Sequence, residues 1–199
     1  MTAPETDKTG IKIGMWLFLY TEIMLFGGLF ILYAVYYAKY TTDFISAGKE
    51  LDTTFGAANT VILLFSSFLV AASITALRKR TTGLSIALVL GAVACGLAFL
   101  VNKYFEWGHK IGLGIYPNSP NLVEGEPGRN IFFGLYYTIT ALHGLHIIIG
   151  LTLLIIAAIM IRKGRTTADN DSLLDNSGLY WHLVDLVWIF VFPLFYLIL

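Results

Sequence analysis

Residues Ile131 to Gly150 read IFFGLYYTITALHGLHIIIG, an apolar run with His143 and His146 in its middle. About 20 apolar residues in helix span the roughly 30 Å of hydrocarbon in a bilayer. Read this way, the run places two imidazoles near the membrane midplane, where polar groups are costly and usually functional. Glu22, Glu106, His182 and Asp185 also lie in or at the ends of apolar runs. The question is whether these six groups form a site of their own or support another protein's.

The rest of the chain agrees with a membrane setting. Of its 199 residues 57% are hydrophobic and 13% charged, with 15% aromatic, and mean hydropathy is +0.73. Soluble domains carry about a quarter charged residues. The fold class is therefore an all-α integral membrane protein. A net charge of +0 gives no reason to expect nucleic acid as a partner. The lone Cys95 lies inside an apolar run, so it forms no intrachain disulfide and has no second thiol for a metal. Glu5, Asp7 and Lys8 precede the first apolar run, and no small-residue cleavage site follows it. That run is read as a retained helix.

Five segments are long enough to span: Ile13–Tyr37, Phe55–Leu77, Leu84–Phe105, Ile131–Ile161 and Leu179–Leu199. They form a single membrane domain over 1–199. The longest connection, Trp107–Asn130, contains Pro117, Pro120 and Pro127 and is read as an outer loop. Orientation follows from Lys and Arg in the flanks. With the N-terminus inside, the inner side holds Lys8, Lys12, Arg78, Lys79, Arg80, Arg162, Lys163 and Arg165; the outer side holds Lys39, Lys49, Lys103, Lys110 and Arg129. Eight against five puts the N-terminus inside and the C-terminus outside. Ala87, Gly91 and Cys95 recur every four residues, a pattern that lets helices approach closely, and Gly27–Gly28 suggests the same for the first helix.

Several chemistries compete for the buried polar groups. A bis-histidine haem needs imidazoles on different helices at one depth, whereas His143 and His146 share a helix and His182 lies near the inner boundary. A di-metal carboxylate site needs two Glu-x-x-His motifs, and the chain has one, Glu106 to His109, at a helix end. A proton relay or transporter suits buried carboxyl and imidazole groups, but paired half-helices are missing. The remaining reading is a set of polar groups that bond to one another and fix helix register. A carboxyl in lipid is protonated or paired, which makes Glu22 the sharpest single signal. Asp185, flanked by Trp181 and Trp188, is similar.

These residues also carry a resemblance. Tyr180 to Trp188, YWHLVDLVW, resembles the YWHFVDxVW signature of subunit III of the haem-copper oxidases. His143 to Gly150, HGLHIIIG, is similar to that family's HGLHVxxG, and Thr21 to Phe26, TEIMLF, to its SEVxxF. Asn59-Thr60 resembles its LNT, and Tyr104 to Trp107 the glutamate-aromatic end of its next helix. The motifs fall in family order across nearly the whole chain.

The resemblance implies a short bacterial five-helix form, beginning at the equivalent of the family's third helix. It implies a non-catalytic subunit of a proton-pumping terminal oxidase that reduces oxygen to water. Haems and copper would belong to partner subunits, with none bound by this chain and no metal site. Subunit I would be the direct partner, subunit II another, and phospholipid a bound component in the bacterial cytoplasmic membrane. The roles implied are stabilising subunit I and supporting sustained turnover and proton uptake. Glu22, Glu106, His143, His146, His182 and Asp185 carry over as positions that matter, with Asp175 where the family often has glutamate. Two other functions share parts of this pattern: an accessory protein of nitric oxide reductase, and a free-standing proton or ion transporter.

Overall fold

The computed structural model describes residues 8–197. Seven helices follow one another: α1 (Lys8–Lys39), α2 (Thr41–Gly48), α3 (Thr53–Arg78), α4 (Thr82–Gly112), α5 (Pro120–Val123), α6 (Pro127–Arg162) and α7 (Ser172–Tyr196). All but α2 and α5 are long and apolar enough to cross a membrane, which makes five spans. Helix α3 packs against α4 and α7, and α6 packs against the same two, closing a four-helix ring. Helix α1 lies outside it against α6 and α7. The α3–α4 and α6–α7 turns share one end of the bundle, here the Arg78 end. Helices α2 and α5 cover the other, the α2 end.

Each spanning helix buries residues at alternating steps of three and four. On α1 the stripe is shallower: Leu19, Phe26 and Tyr33 are buried, and Met15, Glu22, Leu29 and Tyr36 on the same stripe are half-buried. On α4 the seam runs Ser85, Val89, Ala92, Gly96, Phe99, Lys103, Glu106 and Lys110. Steps of three and four average 3.5 residues, the spacing that keeps one stripe facing a neighbour along a whole helix. Apolar side chains fill most seam positions. Trp16, Leu17, Met24 and Ile31 point away from the seam of α1 and are exposed, as a lipid-facing surface requires.

Several helix limits differ from the sequence reading. Residues 107–130 are mostly helix: α4 continues to Gly112, and α5 and α6 begin at Pro120 and Pro127. Both prolines occupy first helical turns, where a missing N–H costs nothing, so they start helices rather than break them. Helix α2 lies between the first two expected spans, where the sequence reading placed no helix. Helix α7 begins seven residues before Leu179, because its first two turns are polar and hydropathy passes over them. It ends at Tyr196, and Ile198 and Leu199 of the expected span lie outside the described residues.

The small-residue stripe is also displaced. Ala87 is exposed, while Gly91 and Cys95 are half-buried at the edge of the α4 seam, where a Cβ on Gly91 would meet Leu69 at 3.2 Å. The close approach is at Gly96 and Gly150, where a Cβ would lie 2.7 Å from Trp181 ring atoms in both cases. The indole occupies the space that two absent side chains leave between α4 and α6. Gly27 and Gly28 face open space and are not packing sites.

Candidate functional site

Glu22 sits on the α1 seam and His146 on the α6 seam, and the two meet. His146 Nε2 lies 2.8 Å from Glu22 Oε2, and Nδ1 lies 2.7 Å from the Leu142 carbonyl oxygen. A carbonyl only accepts, so Nδ1 carries hydrogen and donates to it. Nε2 and the carboxyl then share one proton. Either Glu22 is a neutral acid donating to Nε2, or the pair is imidazolium and carboxylate. Phe26 packs edge-on to the imidazole at 5.2 Å and Tyr180 stacks on it at 6.4 Å. The pair couples α1 to the ring, and its proton can shift between the two atoms without any change in net charge.

One turn away on α6, His143 is fully buried. Phe99 lies edge-on at 5.5 Å and the Trp188 ring at 5.2 Å. Neither ring nitrogen has a hydrogen-bond partner among the described residues. His143 and His146 share a face and both touch α7, through Trp188 and Tyr180, but His143 otherwise meets Phe99 of α4 while His146 meets Glu22 and Phe26 of α1.

Glu106 was expected at a helix end near the surface. It lies six residues before the end of α4 and is buried at 5% exposure. Lys103, assigned from sequence to the outer flank, is buried beside it at 7%. The ammonium donates to Glu106 Oε2 at 3.0 Å, to the Tyr136 hydroxyl at 3.1 Å and to the Tyr196 hydroxyl at 2.7 Å. Each phenol in turn donates to Glu106 Oε1, Tyr136 at 2.6 Å and Tyr196 at 2.5 Å. All three ammonium protons and both carboxylate oxygens are engaged. The Tyr136, Trp188 and Tyr196 rings surround the cation at 4.9 to 5.4 Å. Charge and hydrogen-bond capacity both balance, the condition under which a buried ion pair is tolerated. Lys110, also counted to the flank, is buried too and donates to the Glu50 carbonyl. Lys103, Tyr136 and Tyr196 were missed as site residues. The steps Phe99, Lys103, Glu106 and Lys110 continue the α4 seam and were a readable signal.

His182 and Asp185 lie beside the α7 seam and do not join Glu22. His182 Nδ1 meets the Ser67 hydroxyl of α3 at 2.5 Å. Asp185 is buried with Oδ1 unpartnered among the described residues. Trp181 and Trp188 donate to Ser66 and Thr60 of α3, each at 3.0 Å, so both indoles fix α7 to α3. At the Arg78 end, Asp175 accepts from Arg78 at 3.0 Å and lies 3.7 Å from Lys12. No group of three or more His, Cys, Asp or Glu is placed to hold a metal among the described residues.

Five apolar spans with polar groups paired across their seams define a multi-pass, all-α membrane protein whose buried charges are bound mainly to one another. Residues 3–198 match the family Cytochrome c oxidase subunit III, and the chain belongs to it as a terminal-oxidase subunit III. It is 30% identical to a cytochrome bo(3) ubiquinol oxidase subunit 3 of Pseudomonas aeruginosa, over 92% of this chain and 83% of that protein. A cytochrome c oxidase subunit 3 of Thermostichus vulcanus is 29% identical over 94% and 86%. A haem-copper oxidase subunit I+III of Aeropyrum pernix is 27% identical over 96% of this chain and 23% of that longer protein.

Proposed function

We propose that this chain is the non-catalytic subunit III of a proton-pumping respiratory oxidase that reduces oxygen to water. It packs beside subunit I in the bacterial cytoplasmic membrane, while subunit I and other partners, subunit II among them, hold the haems and copper. The observation that carries this reading is that most of the charged groups inside the bundle are paired with one another. Glu22 is bound to His146, and Glu106 to Lys103 and two tyrosines. These groups stabilise a scaffold, and the exposed apolar face of α1 is left for neighbours and lipid. The Aeropyrum relative, named as subunits I and III in one chain, supports subunit I as the neighbour.

The Arg78 end faces the cytoplasm in this reading. Lys103 and Lys110 are interior, so the opposite flank retains Lys39, Lys49 and Arg129, three against the eight of the Arg78 end. Glu22 acts indirectly: its shared proton steadies the α1–α6 contact, without lying on the main proton path.

A tagged purification in mild detergent tests the assignment. Haem absorbance, larger oxidase subunits and oxygen consumption in the eluate support it. Nitric oxide reduction in place of oxygen consumption would move the chain to a denitrifying complex. A stable, colourless chain purified alone would overturn the subunit reading, and ion flux from that chain in vesicles would make it a transporter.

A further inference from the structure

Between α3 and α4 at the α2 end lies a crevice of about 340 Å³, lined by Glu50, Asp52, Phe55, Phe105, Glu106, His109 and Lys110. Five of these seven side chains are polar or charged. The contrast is the groove between α1 and α7, where Ile23, Phe26, Phe30, Leu183, Leu186 and Phe190 present hydrocarbon. Hydrocarbon chains suit that groove, whereas carboxylates, an ammonium and an imidazole draw water into the crevice. Of its polar lining residues on α4 the one furthest from the helix end is Glu106, about 9 Å from the end of α4 at 1.5 Å per residue. Lys103, Tyr136 and Tyr196 lie behind Glu106. Beyond them Phe99 and Trp188, in ring contact at 4.8 Å, close the interior.

We propose that the crevice is an aqueous inlet and that Glu106 is a proton-binding site in exchange with the water phase at the α2 end. The inlet rests on the crevice and the buried ion pair alone; the side of the membrane it opens to rests on the orientation proposed above. The groups facing the site come from every element around it. Lys103, His109 and Lys110 are on α4, Tyr136 on α6 and Tyr196 on α7, with Glu50 and Asp52 on the segment before α3. Glu50 is held by Arg129 at 2.8 and 3.0 Å, and Asp52 caps α3 through the Thr54 amide. Tyr137 turns its hydroxyl to the Ile115 carbonyl. Glu106 is therefore the carboxylate of this set whose salt-bridge partner is buried and cannot follow solvent. His109, one turn nearer the helix end on the same face, is exposed and stands at the mouth. A proton entering Glu106 takes the cluster from neutral to one positive charge, cancels the ion pair and loosens the tie among α4, α6 and α7.

A water-soluble carbodiimide reads both access and protonation. The reagent adds to a carboxylic acid and takes its proton. The Lys103 amine then displaces the activated oxygen, giving an amide and a urea, with the surplus ammonium proton released to water. The product is a Lys103–Glu106 crosslink that has lost one water. Applied to the intact complex in detergent, the reagent should give this crosslink in peptide mass spectra. Total Glu106 modification should rise by up to about tenfold for each pH unit lowered. In Lys103→Gln the crosslink should vanish and Glu106 should carry the rearranged acylurea. Failure of the water-soluble reagent to modify Glu106 in either protein, while a lipid-soluble carbodiimide succeeds, would overturn the inlet. A pH-independent yield would overturn the proton-binding site. In sealed vesicles of known orientation, modification from the cytoplasmic face alone would overturn the membrane orientation and still support the inlet.

Discussion

His146 reaches Glu22 through one ring nitrogen at 2.8 Å and the Leu142 carbonyl through the other at 2.7 Å. The carbonyl fixes the tautomer, so the carboxyl contact holds a single shared proton. Glu22→Gln keeps the shape and a donor amide, and Nε2 can still accept. The initial oxidase rate should therefore stay close to that of the unmodified complex, while activity should decay faster during turnover. The check is oxygen consumption followed from the first seconds to inactivation. An immediate collapse of the initial rate would place Glu22 on the main proton path. The coupling between Glu22→Ala and His146→Leu in a double-mutant cycle should be about 0.5–2 kcal/mol, the range of hydrogen bonds between membrane helices.

Lys103 and Glu106 should show the opposite economy, in which two changes cost less than one. Lys103→Met leaves Glu106 buried without its cation, and Glu106→Gln leaves a buried ammonium with two phenols. Breaking one side of a buried pair typically costs about 3–5 kcal/mol. The double variant removes both charges and should recover a large part of that loss. Thermal unfolding of the purified complex, read by loss of the subunit, measures the difference.

These two pairs mark the limits of reading the chain without its fold. Glu22 and His146 were visible because polar residues stand out in apolar runs. Their pairing was not, since the partners are 124 positions apart and only the packing of α1 on α6 joins them. Lys103 was misread because a lysine near the end of an apolar run looks like a flank. The α4 seam carries on through it, and two tyrosines from other helices supply its solvation. The prolines at 120 and 127 read as breakers because their position within a helix depends on the helix start, which hydropathy does not locate. Ala87, Gly91 and Cys95 had the right spacing on a neighbouring stripe; only the position of Trp181 shows that Gly96 and Gly150 make the close approach.

That approach gives a steric prediction. A methyl group at Gly150 would lie 2.7 Å from the Trp181 ring, a flat group already wedged between helices. Gly150→Ala should destabilise the subunit by about 1–3 kcal/mol, as overpacking of a filled core does. Gly28→Ala, where a Cβ meets nothing within 4 Å in this chain, should leave the subunit's own packing undisturbed and serves as the matched control. Retention of the subunit in the complex after mild heating distinguishes the two.

At the Arg78 end, Arg78 bridges two carboxylates of α7's start, Asp171 at 2.6 Å and Asp175 at 3.0 Å. Lys12 of α1 approaches Asp175 at 3.7 Å, so one carboxylate joins α1, α3 and α7. Arg78 and Lys12 are more than half exposed, which places these pairs among solvent-screened ones. Asp175→Asn should then cost only about 0.2–1 kcal/mol, with the loss shrinking as salt is raised. Asp175→Glu keeps the charge on a longer side chain and should lose less than the asparagine variant. Unfolding midpoints of the three proteins at low and high salt check both statements: equal loss at all ionic strengths would mean that Asp175 contributes through packing and not through its charge.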